Sequence, residues 1–113
     1  MASPVGDLLD DLIEALRDYI ADLGDAVDAA ETAAAALAIH DQVKLANDFL
    51  AVLIKLKFET DDAVLNQQAA AIKAKIKKLD AFKDKLDQYV KDIAIAAKIL
   101  GTLARLAAMA ATL

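Results

Sequence analysis

Apolar positions recur along this chain in a helical rhythm with almost no interruption. Val5, Leu9, Leu12, Leu16, Tyr19 and Leu23 follow alternating spacings of four and three, with Leu8, Ile13 and Ile20 widening the stripe. This predicts an amphipathic helix over residues 4–23. Its first turns hold Asp7, Asp10, Asp11 and Glu14, where the positive end of the helix dipole favours carboxylates. Ser3-Pro4 reads as an N-cap followed by proline at the first helical position.

Leu23-Gly24-Asp25 has two readings. Gly24 can end the helix with Asp25 capping the next, or it can sit inside a continuous helix at a cost of about 1 kcal/mol. The rhythm through Val27, Ala30, Ala34 and Leu37 favours continuity. The phase slips near Ile39-His40-Asp41, after which Ile39, Val43, Ala46, Leu50 and Leu53 carry the stripe onward. The run from Phe49 to Ile54 is apolar nearly all round and calls for cover on more than one side.

A corner follows. Lys55 and Lys57 suit the negative end of a helix, and Thr60-Asp61-Asp62 suits the start of another. Beyond it, Leu65, Ile72, Leu79, Leu86, Ile93, Leu100 and Ala107 recur every seven residues. The companion position reads Ala69, Ile76, Lys83, Val90, Ala97, Ala104 and Ala111, completing a heptad seam. Unbroken, residues 61–112 would span about 75 Å at 1.5 Å per residue.

These elements predict an all-α protein in one domain, 1–113, with helices over about 4–23, 25–57 and 61–112, the first two continuous in one reading. The favoured architecture is a long antiparallel helical hairpin with its corner near Glu59-Thr60. It packs like a coiled coil and completes a four-helix bundle by self-association. The alternative is a three- or four-helix bundle with turns at Gly24 and Gly101.

Composition sharpens this picture in three ways. Hydrophobic residues make up 58% of the chain, inflated by alanine, so the apolar stripes need partners. The absence of cysteine excludes disulfides and thiolate chemistry. The net charge of −5 is uneven: residues 1–60 carry 12 acids against 4 bases, a net of −8, and residues 61–113 carry 6 against 9, a net of +3. An acidic half and a basic half suit complementary pairing, within or between chains.

Candidate chemistry is sparse. His40 is the only histidine, and Leu37 stands where a Glu-x-x-His metal pair would need its carboxylate. The lysines from Lys73 to Lys85 lie around the helix rather than on one face, and Asp80 and Asp84 interleave with them, which disfavours nucleic acid. No catalytic, metal or cofactor residue is assigned.

The leading expectation is a non-enzymatic helical assembly or interaction protein, a homo-oligomer joined through Leu65, Ile72, Ile76, Leu79, Leu86, Val90, Ile93 and Leu100. The rival is a membrane-active or lipid-binding protein using the apolar stretch 92–113, with Ile95, Ile99, Leu103, Leu106 and Met109 as its membrane or partner face. A bundle holding an apolar ligand or haem, with His40 as axial ligand, is a third and weaker reading. Residues 1–7 lack the features of a signal peptide, and Lys98 and Arg105 interrupt the most apolar stretch. The sequence therefore predicts no membrane span and, by default, a cytoplasmic protein.

Overall fold

A computed structural model describes residues 4–113; the Ser3 cap lies outside the described residues. The chain is an all-α bundle, as the periodicity predicts. Helix α1 (Pro4–Asp28) turns back through residues 29–32 into α2 (Ala33–Lys57). After the corner at 58–61, a third segment climbs through α3 (Asp62–Gln67), α4 (Ala69–Asp80), a 3₁₀ stretch (Ala81–Lys85) and α5 (Leu86–Tyr89). Residues 90–92 then reverse the chain into α6 (Ile93–Ala111). Helix α6 packs between α1 and α4, while α2 packs on α1 and on the third segment.

The corner near Glu59-Thr60 is present, and its chemistry is local. Asp61 is the N-cap of α3, its carboxylate accepting from the Ala63 N–H at 2.9 Å, and Glu59 Oε1 accepts from the Asp61 N–H at 2.9 Å. Lys55 and Lys57 occupy the last turn of α2. Lys57 also reaches Asp10 at 3.1 Å, an exposed pair that contributes about 0–1 kcal/mol.

The other two reversals fall where no glycine stands, which corrects the helix bounds drawn from the sequence. Thr32 ends the first turn: its hydroxyl accepts from the Ala35 N–H at 3.0 Å and starts α2. Asp92 does the same for α6, accepting from the Ile95 N–H at 3.1 Å, after Val90 has left the helix in an extended conformation. The continuous 61–112 arm is thus interrupted three times, at Gln68, at the 3₁₀ stretch and at 90–92, and only the last reverses the chain. The molecule is 49 Å in its longest dimension, so no arm of about 75 Å exists.

Gly24 and Gly101 lie inside α1 and α6, neither with positive φ, and a Cβ added to either meets nothing within 4 Å. Each glycine therefore costs helix stability with no steric reason inside the chain. Gly24→Ala and Gly101→Ala are each expected to raise stability by about 0.5–1 kcal/mol, read from urea denaturation. Unchanged midpoints would contradict this placement.

The core runs the length of the bundle. Val5, Leu9, Leu12, Leu16, Tyr19 and Leu23 of α1 are all buried, against Ile39, Ala46, Phe49 and Leu53 of α2. Leu65, Ile72, Ile76, Leu79, Leu86 and Val90 close it from the third segment, and Ile99, Leu103 and Leu106 from α6. The apolar run at the end of α2 is covered on one side only: Phe49 and Leu53 are buried, and Val52 is exposed.

Candidate functional site

Two features stand apart from ordinary packing. The first is a polar cluster in the core. The Gln42 side-chain amide donates to the Tyr19 hydroxyl at 2.7 Å and to the Leu79 carbonyl at 3.0 Å, joining α1, α2 and α4. Burial pushes the Tyr19 phenol well above its usual range, so it stays neutral. Among the described residues no buried side-chain nitrogen or oxygen lacks a partner. The cluster is satisfied internally and fixes the register of three helices; it offers no open polar group to a ligand.

The second feature is the outward side of α6. At 100° per residue, Ile93, Ala94, Ala97, Leu100, Gly101, Ala104 and Ala108 share an arc of about 120° with no polar side chain. All seven are exposed, Ile93 at 86% and Leu100 at 46% of their full area. Beside it, between α6 and the α5 region, lies an open groove of about 470 Å³. Its apolar walls come from Leu86, Val90, Ile93, Ala96 and Leu100, with Lys83, Asp87 and Lys91 at its rim.

The two flanks of this face differ in charge. On the α1 side, Arg105 donates to Asp18 at 2.8 Å. Next to that pair, burial raises the Asp22 carboxyl above the usual carboxylate range, with the Thr102 hydroxyl and the Lys98 ammonium opposing the shift. Helix α1 carries eight acids and one arginine. On the opposite flank, α4 carries four lysines and one aspartate. Lys83 is paired to Asp80 at 2.7 Å, and Lys91 donates to the Asp87 carbonyl at 2.7 Å.

The sequence-derived surfaces are placed differently from expectation. Of the association seam, Leu65, Ile72, Ile76, Leu79, Leu86 and Val90 are buried within the chain; Ile93 and Leu100 are exposed. Of the membrane or partner face, Ile99, Leu103 and Leu106 are buried, and Ile95 and Met109 are partly buried against the core. The cause is the reversal at 90–92. It starts a new helix running the other way, so the seven-residue count does not carry the inward face across it. His40 is exposed on α2, and among the described residues no group of three or more His, Cys, Asp or Glu could hold a metal ion.

No family model, curated protein or solved structure matches this chain. The site must therefore be read from its own chemistry.

The expectation of no membrane span, and the default cytoplasmic location drawn from it, do not hold. Lys98 and Arg105 do not exclude a membrane span: α6, Ile93–Ala111, is long and apolar enough to cross a membrane by length and composition. Only 22% of its most apolar window is buried in the bundle, so core packing does not account for most of that apolarity. Asp92 was the signal that sequence reading passed over. A short acid directly before an apolar run is an N-cap pattern, and here it marks where α6 begins.

Proposed function

We propose that this is a non-enzymatic helical assembly protein, self-associating through the outer face of α6. The observation that carries the reading is the uncharged arc from Ile93 to Ala108, lying in the open on a helix whose other side already fills the core. A contiguous exposed apolar face of this kind marks an interaction surface; the other exposed large apolar side chains, Leu37, Leu45, Val52 and Phe58, lie along α2 and at its end. Within α6 itself, Ile93, Ala97, Leu100 and Ala104 keep alternating spacings of four and three on this face. Helix packing is what such spacing serves.

Ile93→Asp tests it. Ile93 is exposed, so the bundle keeps its helical circular dichroism, while sedimentation velocity is expected to shift from a larger species to the 12.0 kDa monomer. Identical sedimentation of the variant and the unaltered chain would count against the proposal.

A second reading rests on the length and apolarity of α6: the same face docks on a membrane. Flotation with phosphatidylglycerol vesicles tests it. Co-flotation supports membrane docking, and a protein that remains at the bottom of the gradient excludes it.

A further inference from the structure

The arrangement of the copies follows from the two unlike flanks of α6. We propose that two copies pair through the outer faces of α6 in parallel, about a two-fold axis along the helices, each acidic α1 lying on the side of the partner's lysine-bearing α4. This rests on self-association through α6 and adds its geometry.

Two-fold pairing of one helix face with itself has two forms. In the antiparallel form each flank faces its own copy; in the parallel form the α1 flank of one copy faces the α4 flank of the other. Helix α1 has eight acids and one arginine, and α4 has four lysines and one aspartate. The antiparallel form therefore sets acid beside acid and lysine beside lysine, and the parallel form relieves both. Like charges placed face to face disfavour the wrong arrangement, as opposite charges favour the right one.

The levels along the axis agree. Asp18 pairs with Arg105, so α1 runs antiparallel to α6 with its acidic first half beside the C-terminal half of α6. The third segment also runs antiparallel to α6: the groove sets Leu86 and Val90 beside Ile93 and Leu100. The lysines of α4 thus lie at the same height as Asp11, Glu14 and Asp18, and a parallel pair brings them to one level. Lys98 and Arg105 stand on the acidic flank, but Arg105 is already paired to Asp18 and Asp22 faces Lys98.

The contact itself is the arc of Ile93, Ala97, Leu100 and Ala104. In the parallel form each of these residues meets its own copy across the axis. In the antiparallel form at most one can.

Single cysteines decide between the two, since the chain has none of its own. Ala97→Cys and Ala104→Cys stand one heptad apart, about 10 Å along the helix, and both are exposed. The parallel pair is expected to form inter-chain disulfides at both positions. At about 10 µM protein each should be roughly 100-fold faster than for Ala70→Cys on the exposed side of α4, the ratio of a millimolar effective concentration to the bulk value. Fast crosslinking at only one of the two positions would mean antiparallel pairing and overturn this inference while leaving self-association intact. Slow crosslinking at both, with a dimeric mass, would overturn the parallel geometry; a crosslink between Ala97→Cys and Ala104→Cys chains when the two are mixed would then mean antiparallel pairing on α6, and none would overturn the α6 face as well. A monomeric mass would overturn self-association itself.

Discussion

Phe49→Ala is expected to lower the folding free energy by about 3–5 kcal/mol. Phe49 is 1% exposed and belongs to the core that α2 shares with the other helices. Removing a buried aromatic ring loses its transfer free energy and leaves a cavity that the helices close only in part. A domain of this size has about 5–15 kcal/mol in total, so the variant stands near the limit of folding. Phe58→Ala is the control: this ring is 79% exposed at the end of α2, and its loss should change stability by less than about 0.5 kcal/mol. Urea denaturation followed by circular dichroism reads both. Equal effects at the two positions would mean that α2 is not packed as described.

The second large effect separates the two sides of α6. Leu103 is 1% exposed and Leu100 is 46% exposed, three residues apart on one helix. Leu103→Asp places a carboxylate in the apolar core, at a cost of several kcal/mol added to the lost leucine, and is expected to unfold the chain. Leu100→Asp places the same charge in solvent, so the bundle should melt within a few degrees of the unaltered protein. Its effect falls on association: each Asp would be buried against the partner, and a cost of about 3–5 kcal/mol weakens pairing by about two to four orders of magnitude. Circular dichroism and sedimentation together read the contrast. A folded Leu103→Asp, or an unfolded Leu100→Asp, would mean that α6 is turned the other way round.

How much of this was legible can be argued residue by residue. The inward face of α1 was fully legible, because Val5 to Leu23 hold one phase through a helix with no internal break, and every one of the six stripe residues is buried. The corner at 58–61 was legible because opposite dipole chemistry meets there, lysines before it and Asp61 after it. The turn at 29–32 was missed because alanine keeps a helical rhythm without specifying an inward side, so nothing in residues 26–36 signals a break except Thr32. The break at 90–92 was hidden by arithmetic. Ile93 and Leu100 fall by coincidence on the seven-residue count of Leu79 and Leu86, although the helix that carries them runs the other way. Periodicity reports a face only within one continuous helix. Across a reversal it reports nothing, and there the single capping aspartate, Asp92, outweighs seven repeats.

The same coincidence matters for function. The two expected surfaces part company in α6: Ile93 and Leu100, the end of the association seam, lie open, while Ile99, Leu103 and Leu106 of the membrane or partner face fill the bundle. Exposure of the first pair follows from geometry and not from sequence polarity, since both groups are equally apolar. Tertiary packing chose between them through the length of the 90–92 turn and the fit of Ile99, Leu103 and Leu106 between α1 and α4.

On the proposed reading, the outer face of α6 is covered by another copy. Light scattering on the unaltered protein, without detergent, over a dilution series from about 100 µM to about 1 µM tests it most directly. The expected mass is twice the 12.0 kDa chain at the upper end, falling towards one chain on dilution. A mass of 12.0 kDa at every concentration would contradict the account.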